Sequence, residues 1–336
     1  FDPREGILHV AATNRPEILD PALTRRGRID RSIRLPMPSL KDRISILKVH
    51  TRKLPLEDDV CLDRIAGSTF GFNGADLAAL ANEAALGAGR RGAETVAMED
   101  FAAARDRILI GTSGAQYELD DEEKRLTAWH EAGHALIAAV QEETDPIEKV
   151  TILPQGGALG FVLQRPERDR VYETESRLLA QMRVAAGGRA AEEICFPGGG
   201  RTTGAASDIT KITEIATRMV MSWGMSEDGA PVDRERLAAA GVGDPDRGET
   251  AREIRRIASS ALDWAKQVIT ENRETLDEIG NLLLEKETVD AQEIHDIVNR
   301  TVNQIPARKG AVDKTDDITG GITNTRETEK QEGARS

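Results

Sequence analysis

Residues 127–140 read TAWHEAGHALIAAV, and no other stretch restricts the fold of the chain as much. On an α-helix, residues four apart project from the same face, so His130 and His134 can present two imidazoles to one ion. Glu131 is offset by one residue. Its carboxylate then stands beside the ion's open position, where it can take a proton from water without filling the coordination sphere. The apolar residues Leu136, Ile137 and Val140 supply dry surroundings. Gly133 costs about 1 kcal/mol relative to Ala in a helix interior, so it needs a reason in packing or access. The plain alternative is a pair of half-exposed helix histidines, but the chain has only five His with which to make such a pattern by chance.

A zinc site that does chemistry has three protein ligands and one open position, so a third ligand must come from elsewhere. His9 and His50 precede the motif by a wide margin, and His295 sits in a C-terminal amphipathic helix. A carboxylate is therefore the better choice, and Glu192, Glu193 and Asp208 are the candidates. Asp208 has a competing role as a helix N-cap behind the Gly-rich loop FPGGGRTTGAAS.

The rest of the chain reads as mainly helical. The hydrophobic fraction is 39% with only 3% aromatic, which suits helices packed through small and aliphatic side chains. At 336 residues, two or three domains are expected. Residues 7–12 (ILHVAA) have the pattern of a buried strand ending in Thr13 and Asn14. From residue 39 to 111 four helical patterns follow one another, and a linker is expected near 111–116. After an acidic helix start at residues 120–123 comes the histidine helix, and KVTILPQGGALGFVLQ reads as a hairpin around Gly156 and Gly157. Helices are expected at 175–194, from Asp208 to about 223, and as a pair between 249 and 299. The polar tail from residue 307 is expected to be disordered.

The net charge of -13 speaks against a broad nucleic-acid surface. Cys61 and Cys195 are far apart and form no CxxC, so neither a disulfide framework nor a thiolate metal knuckle is expected. No run of about 18 apolar residues is present. The start at Phe1, directly before a strand pattern, leads us to expect a longer natural protein.

Taken in order, HEAGHA, TILPQGGALGFV, GGRAAEEI, TTGAASDI and WGMSE resemble the peptidase domain of the FtsH family of ATP-dependent zinc metalloproteases. Upstream, AATNRPEILDPALTRRGRIDR is similar to the second region of homology in that family's AAA+ module, and FGFNGADLAALANEAAL to its helical lid. The resemblance extends from about residue 7 to residue 299. It implies the C-terminal part of an α/β AAA+ core in residues 1–38, a helical lid in 39–113, a mostly helical zinc metallopeptidase domain with a short β-hairpin in 114–305, and a tail in 306–336.

Carried over by residue, the resemblance makes His130, His134 and Asp208 zinc ligands and Glu131 the catalytic base that acts on zinc-bound water. It makes Asn14 the sensor of the γ-phosphate and Arg25 and Arg28 the arginine fingers. Gly74 and Ala75 receive only a weak nucleotide contact. It further implies a homo-hexamer, protein substrates that are unfolded or membrane-embedded and are degraded processively, and an N-terminal membrane anchor with the catalytic domains on the cytoplasmic side. ATP and Mg would serve the longer parent protein. No G-x-x-x-x-G-K-[ST] occurs, and GGGRTTG at Gly198 has no Lys, so this stretch should not hydrolyse ATP alone. Residues 228–247 depart from the family pattern. The rival functional readings are a catalytically silent pseudo-protease acting as chaperone or assembly partner, and a helical scaffold with incidental histidines.

Overall fold

The computed structural model describes residues 10–25, 28–29, 31–110, 119–154, 158–166, 170, 172–227, 231–241 and 247–302. Residues 7–9 of the expected strand, the expected linker, the hairpin tip at Gly156 and Gly157, most of residues 242–247 and the tail from 307 lie outside that set. Residues 10–13 carry no strand, and among the described residues before residue 39 the one helical element is a 3-10 turn at Pro16–Ile18. A strand needs a neighbour to take up its backbone hydrogen bonds, and no ladder among the described residues reaches this segment.

Four helices follow: α1 (Leu40–Thr51), α2 (Leu62–Gly67), α3 (Gly74–Arg90) and α4 (Met98–Ile110). Two of them begin on reciprocal caps, Ser39 with Asp42 and Asn73 with Asp76, which satisfy amide groups that a helix start otherwise leaves open. Leu47, Ile65, Leu77, Leu80 and Phe101 form their shared core. Arg43 is buried inside this bundle, and its guanidinium donates to the carbonyls of Ala66 (2.9 Å) and Pro38 (3.2 Å).

The remainder is built around α5 (Asp121–Ala139), whose residues from Thr127 to Ala138 are nearly all buried. It packs against α6 (Glu175–Cys195) and α10 (Arg273–Lys286). Strands β1 (Ile147–Thr151), β2 (Phe161–Gln164) and β3 (Thr288–Asp290) form an antiparallel sheet in the order β2-β1-β3. The expected hairpin is thus β1 and β2, and β2 is an edge strand. A second cluster of buried residues, including Met182, Met219, Val220 and Ile257, joins α6 to α7 (Ala206–Met221) and α9 (Arg247–Glu271).

The C-terminal part departs from the expected helix pair. Residues 247–301 hold three helices, α9, α10 and α11 (Ala291–Thr301), with β3 between the last two. The short run Thr288–Asp290 has too few residues for a readable period; it becomes a strand because β1 offers it an edge, with Val150 facing Val289. A short helix α8 (Arg234–Ala239) also lies in the stretch expected to be a loop. Among the described residues, no helix is long and apolar enough to cross a membrane.

Candidate metal centre

Two glycines let α5 and α6 pack backbone against backbone. A Cβ on Gly133 would lie 2.4 Å from the carbonyl oxygen of Gly187, and one on Gly187 would lie 2.6 Å from that of Gly133. This is the packing reason that Gly133 required. The next residue on α6, Gly188, sits under the His130 ring, where a Cβ would come within 2.4 Å of Nε2. The helices therefore cross closely enough for α6 to serve as a floor beneath both histidines.

With that floor in place, each imidazole is held by its Nδ1. His130 Nδ1 lies 2.9 Å from Glu192 Oε1, and His134 Nδ1 lies 2.7 Å from the carbonyl oxygen of Val184. Both partners only accept, so in the neutral rings Nδ1 carries the proton and Nε2 presents its lone pair. The two Nε2 atoms are 3.1 Å apart, and Asp208 Oδ2 lies 3.3 Å from each. His130, His134 and Asp208 thus converge from α5 and α7 on one point.

Electrostatics point the same way. Burial disfavours a charged His130, but the carboxylates of Asp208 and Glu192 outweigh it, and its pKa is pushed up to about 9. Burial would also raise Asp208, yet the two imidazoles hold it below the usual carboxylate range. A cluster that draws in a proton this strongly is one that favours a cation at its centre. Glu131 beside it is 5% exposed, and burial raises its pKa above the usual carboxylate value, against the opposing pull of the histidines. Its Oε2 is buried without a hydrogen-bond partner among the described residues. An orphaned buried carboxylate oxygen costs free energy unless something occupies the space it faces.

The donor set fits zinc: two imidazole nitrogens and one carboxylate oxygen, with the buried Glu131 carboxylate alongside. The residues left open as third ligand separate clearly. Glu192 stands behind His130 and holds its ring. Glu193 pairs with Lys266 and Arg201 instead. Asp208 is not the N-cap of α7, which is Ala205; it projects from the first turn of that helix.

The placement of Glu192 was missed by sequence reasoning, which had it only as a possible ligand. A signal was present: Glu192 follows Gly188 by four residues on α6, so it shares the face that touches His130.

The other nominated residues lie outside the elements that build the cluster. Asn14 and Arg25 are exposed, and the exposed Arg28 donates to the carbonyl of Ala22 at 3.0 Å. Gly74 opens α3, and the amide of Ala75 is taken by the Asn73 side chain at 2.8 Å.

Comparison with known proteins agrees with this geometry. Residues 117–297 match the family model described as peptidase family M41, and residues 59–103 match that of the AAA+ lid domain. The chain is 42% identical over 325 residues to ATP-dependent zinc metalloprotease FtsH 2 of Salinibacter ruber (strain M8), covering 93% of this chain and 47% of that protein. It is 44% identical over 306 residues to ATP-dependent zinc metalloprotease FtsH of Neorickettsia risticii (strain Illinois), covering 89% of this chain and 47% of that protein. With the FtsH of Acidimicrobium ferrooxidans it shares 44% over 309 residues, 89% of this chain and 46% of that protein. The chain therefore spans about half the length of the curated relatives it matches. Since the family match runs through the histidine helix, the floor helix and Asp208, and takes in more than half of the 336 residues, the chain belongs to peptidase family M41.

Proposed function

We propose that this chain is the lid and peptidase part of an ATP-dependent zinc metalloendopeptidase. The observation that carries the reading is the meeting of His130, His134 and Asp208 at one point, with the buried, unpartnered Glu131 beside it. His130, His134 and Asp208 would hold the zinc. Once bound, zinc would supply Lewis acidity at the scissile carbonyl and lower the pKa of water.

The chain's own groups do the rest. Glu131 is the general base: burial raises its pKa and strengthens it as an acceptor for the proton of water, which it then passes to the leaving amine. Glu192 and the Val184 carbonyl keep both Nε2 atoms free for the metal. The edge strand β2 would align an extended substrate by adding it as a further strand. Its approach to the site is short, since a Cβ on Gly160, immediately before β2, would lie 2.9 Å from Glu131 Oε1. An open cleft of about 600 Å3 beside Asp208, lined by Ile209, Ile212 and Leu262 among others, is large enough for a substrate side chain.

In the longer protein, Arg25 and Arg28 would act as arginine fingers, Asn14 as the phosphate sensor, and Gly74 and Ala75 as a minor nucleotide contact. An arginine finger acting in trans makes hydrolysis depend on assembly, in line with a homo-hexamer using ATP and Mg. Processive degradation of unfolded and membrane proteins, and an N-terminal anchor that leaves the catalytic domains on the cytoplasmic side, complete the proposal. The names of the relatives, ATP-dependent zinc metalloproteases, support the ATP-dependent and zinc-protease parts of it.

Zinc per chain, measured by elemental mass spectrometry, tests the reading. We expect about one zinc in the parent and in Glu131→Gln, and none in His134→Ala. Peptide cleavage by Glu131→Gln should fall by about a thousandfold, within the range for loss of general acid–base catalysis. Parental cleavage by Glu131→Gln would remove Glu131 from the mechanism.

A further inference from the structure

The Glu192 carboxylate is 1% exposed and carries more contacts than are needed to orient one imidazole. Its Oε1 accepts from His130 Nδ1 at 2.9 Å and from the Thr202 hydroxyl at 2.8 Å. Its Oε2 accepts from the Thr202 amide at 3.1 Å and pairs with an arm of Arg189 at 3.0 Å. The other arm of Arg189 donates to the carbonyl of Thr202 at 2.8 Å.

Thr202 is the entry to α7. Its side chain caps the 3-10 turn Thr203–Ala205, which runs directly into the helix carrying Asp208. A closed ring results: His130, Glu192, Arg189 with Thr202, the short run to Asp208, and back to His130. The ligands come from different helices, α5 and α7, and Arg189 grips a group tied to each of them. Its planar fork suits that task, because two acceptors are held in a fixed relation. Arg189 also stands outside the apolar core clusters, with its side chain 15% exposed.

We propose that Arg189 is a positioning residue for the metal centre, clamping Glu192 to the Thr202 backbone so that His130 and Asp208 keep their separation. The inference rests on reading His130, His134 and Asp208 as zinc ligands.

The test uses the 336-residue chain loaded with zinc and challenged with a colorimetric chelator, with the visible spectrum of the cobalt-substituted protein as a second readout. Arg189→Met keeps the apolar stem and removes both arms. It should fold as the parent does, release zinc about tenfold faster, the low end of the range for groups behind a metal ligand, and alter the cobalt spectrum. Arg189→Lys, which reaches only one acceptor, should recover part of the loss. Arg201→Met is the control, since Arg201 lines the same cleft but is exposed and pairs with Glu193; it should hold zinc like the parent.

If circular dichroism shows Arg189→Met to be misfolded, Thr202→Val takes its place, because it removes the hydroxyl on Glu192 and keeps the amide. It should release zinc severalfold faster. Parental zinc release and an unchanged cobalt spectrum in the folded variant overturn the proposal. So does parental release with a raised KM, which would make Arg189 a substrate contact. A parent that takes up no zinc instead brings down the metal-site reading, a distinct outcome.

Discussion

The bundle α1–α4 and the body formed by α5–α11 are both helical, yet they treat buried polar groups differently. In the bundle those groups are spent on architecture. Arg43 ties two backbone carbonyls, the Thr51 and Thr69 hydroxyls bond back into their own helical turns, and Asp100 is held by Arg91 and the amide of Ala97. In the larger body several buried groups converge on one point, and Glu131 keeps an oxygen with no hydrogen-bond partner among the described residues. Other polar atoms in that body without a hydrogen-bond partner among the described residues belong to Asp145 and Arg170, which meet in an ion pair, and to Trp264, which lies under Arg183. Glu131 is the one carboxylate among them without an ion pair among the described residues. Satisfied buried polarity holds a fold together, whereas unsatisfied buried polarity marks where a ligand or reaction is accommodated.

The two regions also meet through charge. Arg105 of α4 bonds Asp106 and reaches Glu148 of β1 at 2.9 Å, while Lys149 of β1 pairs with Asp106. The strand that contacts the bundle is thus the neighbour of the edge strand beside Glu131.

If the contrast is right, the largest effect comes from crowding the floor of the metal centre. Gly188→Ala puts a methyl group into the His130 ring and should weaken zinc binding by about a hundredfold, measured by chelator competition, with helix content kept. Parental zinc affinity in that variant would break the account of the site.

The cysteines give the next largest effect. Cys61 is exposed at the start of α2, whereas burial raises the Cys195 thiol to about 11, so very little thiolate exists at pH 8. A thiol reagent should label Cys61 at least about a hundredfold faster, and Cys195 labelling should keep rising with pH up to about 11. Equal rates would mean that the larger body opens readily.

A smaller effect is expected inside the bundle. Arg43→Met removes the buried guanidinium's bonds to the carbonyls of Ala66 and Pro38 and should lower stability by about 2 kcal/mol, read in urea unfolding of α1–α4, with zinc content untouched. Loss of zinc in that variant would show that the regions are coupled more tightly than their polar groups suggest. Smallest of all, Gly89→Ala on α3, where a Cβ meets nothing within 4 Å, should stabilise by about 0.5 kcal/mol in the same unfolding measurement.

Much of this was legible in the chain itself. Helical periodicity with Gly and acidic boundary signals placed α1 to α7 close to where they lie, because such helices carry their own caps and apolar stripes. The spacing of His130 and His134 announced a shared face, and Gly133 called for a reason in packing or access. The C-terminal stretch was harder. Residues 288–290 form a strand only because β1 lies beside them, and residues 234–239 helix in a segment with no clear period.

The sequence by itself determined the two imidazoles, the neighbouring carboxylate and the helix that carries them, since helix geometry is local and repeats every few residues. Only the tertiary structure shows where Glu192, Glu193 and Asp208 stand relative to the two histidines. Those three lie on helices whose mutual placement depends on packing, above all on Gly133 meeting Gly187. That crossing sends Glu192 behind His130, leaves Glu193 with Lys266, and allows Asp208 to arrive from α7 on the open side. Spacing along a chain cannot encode such a placement, because it is set by distances between helices rather than within one.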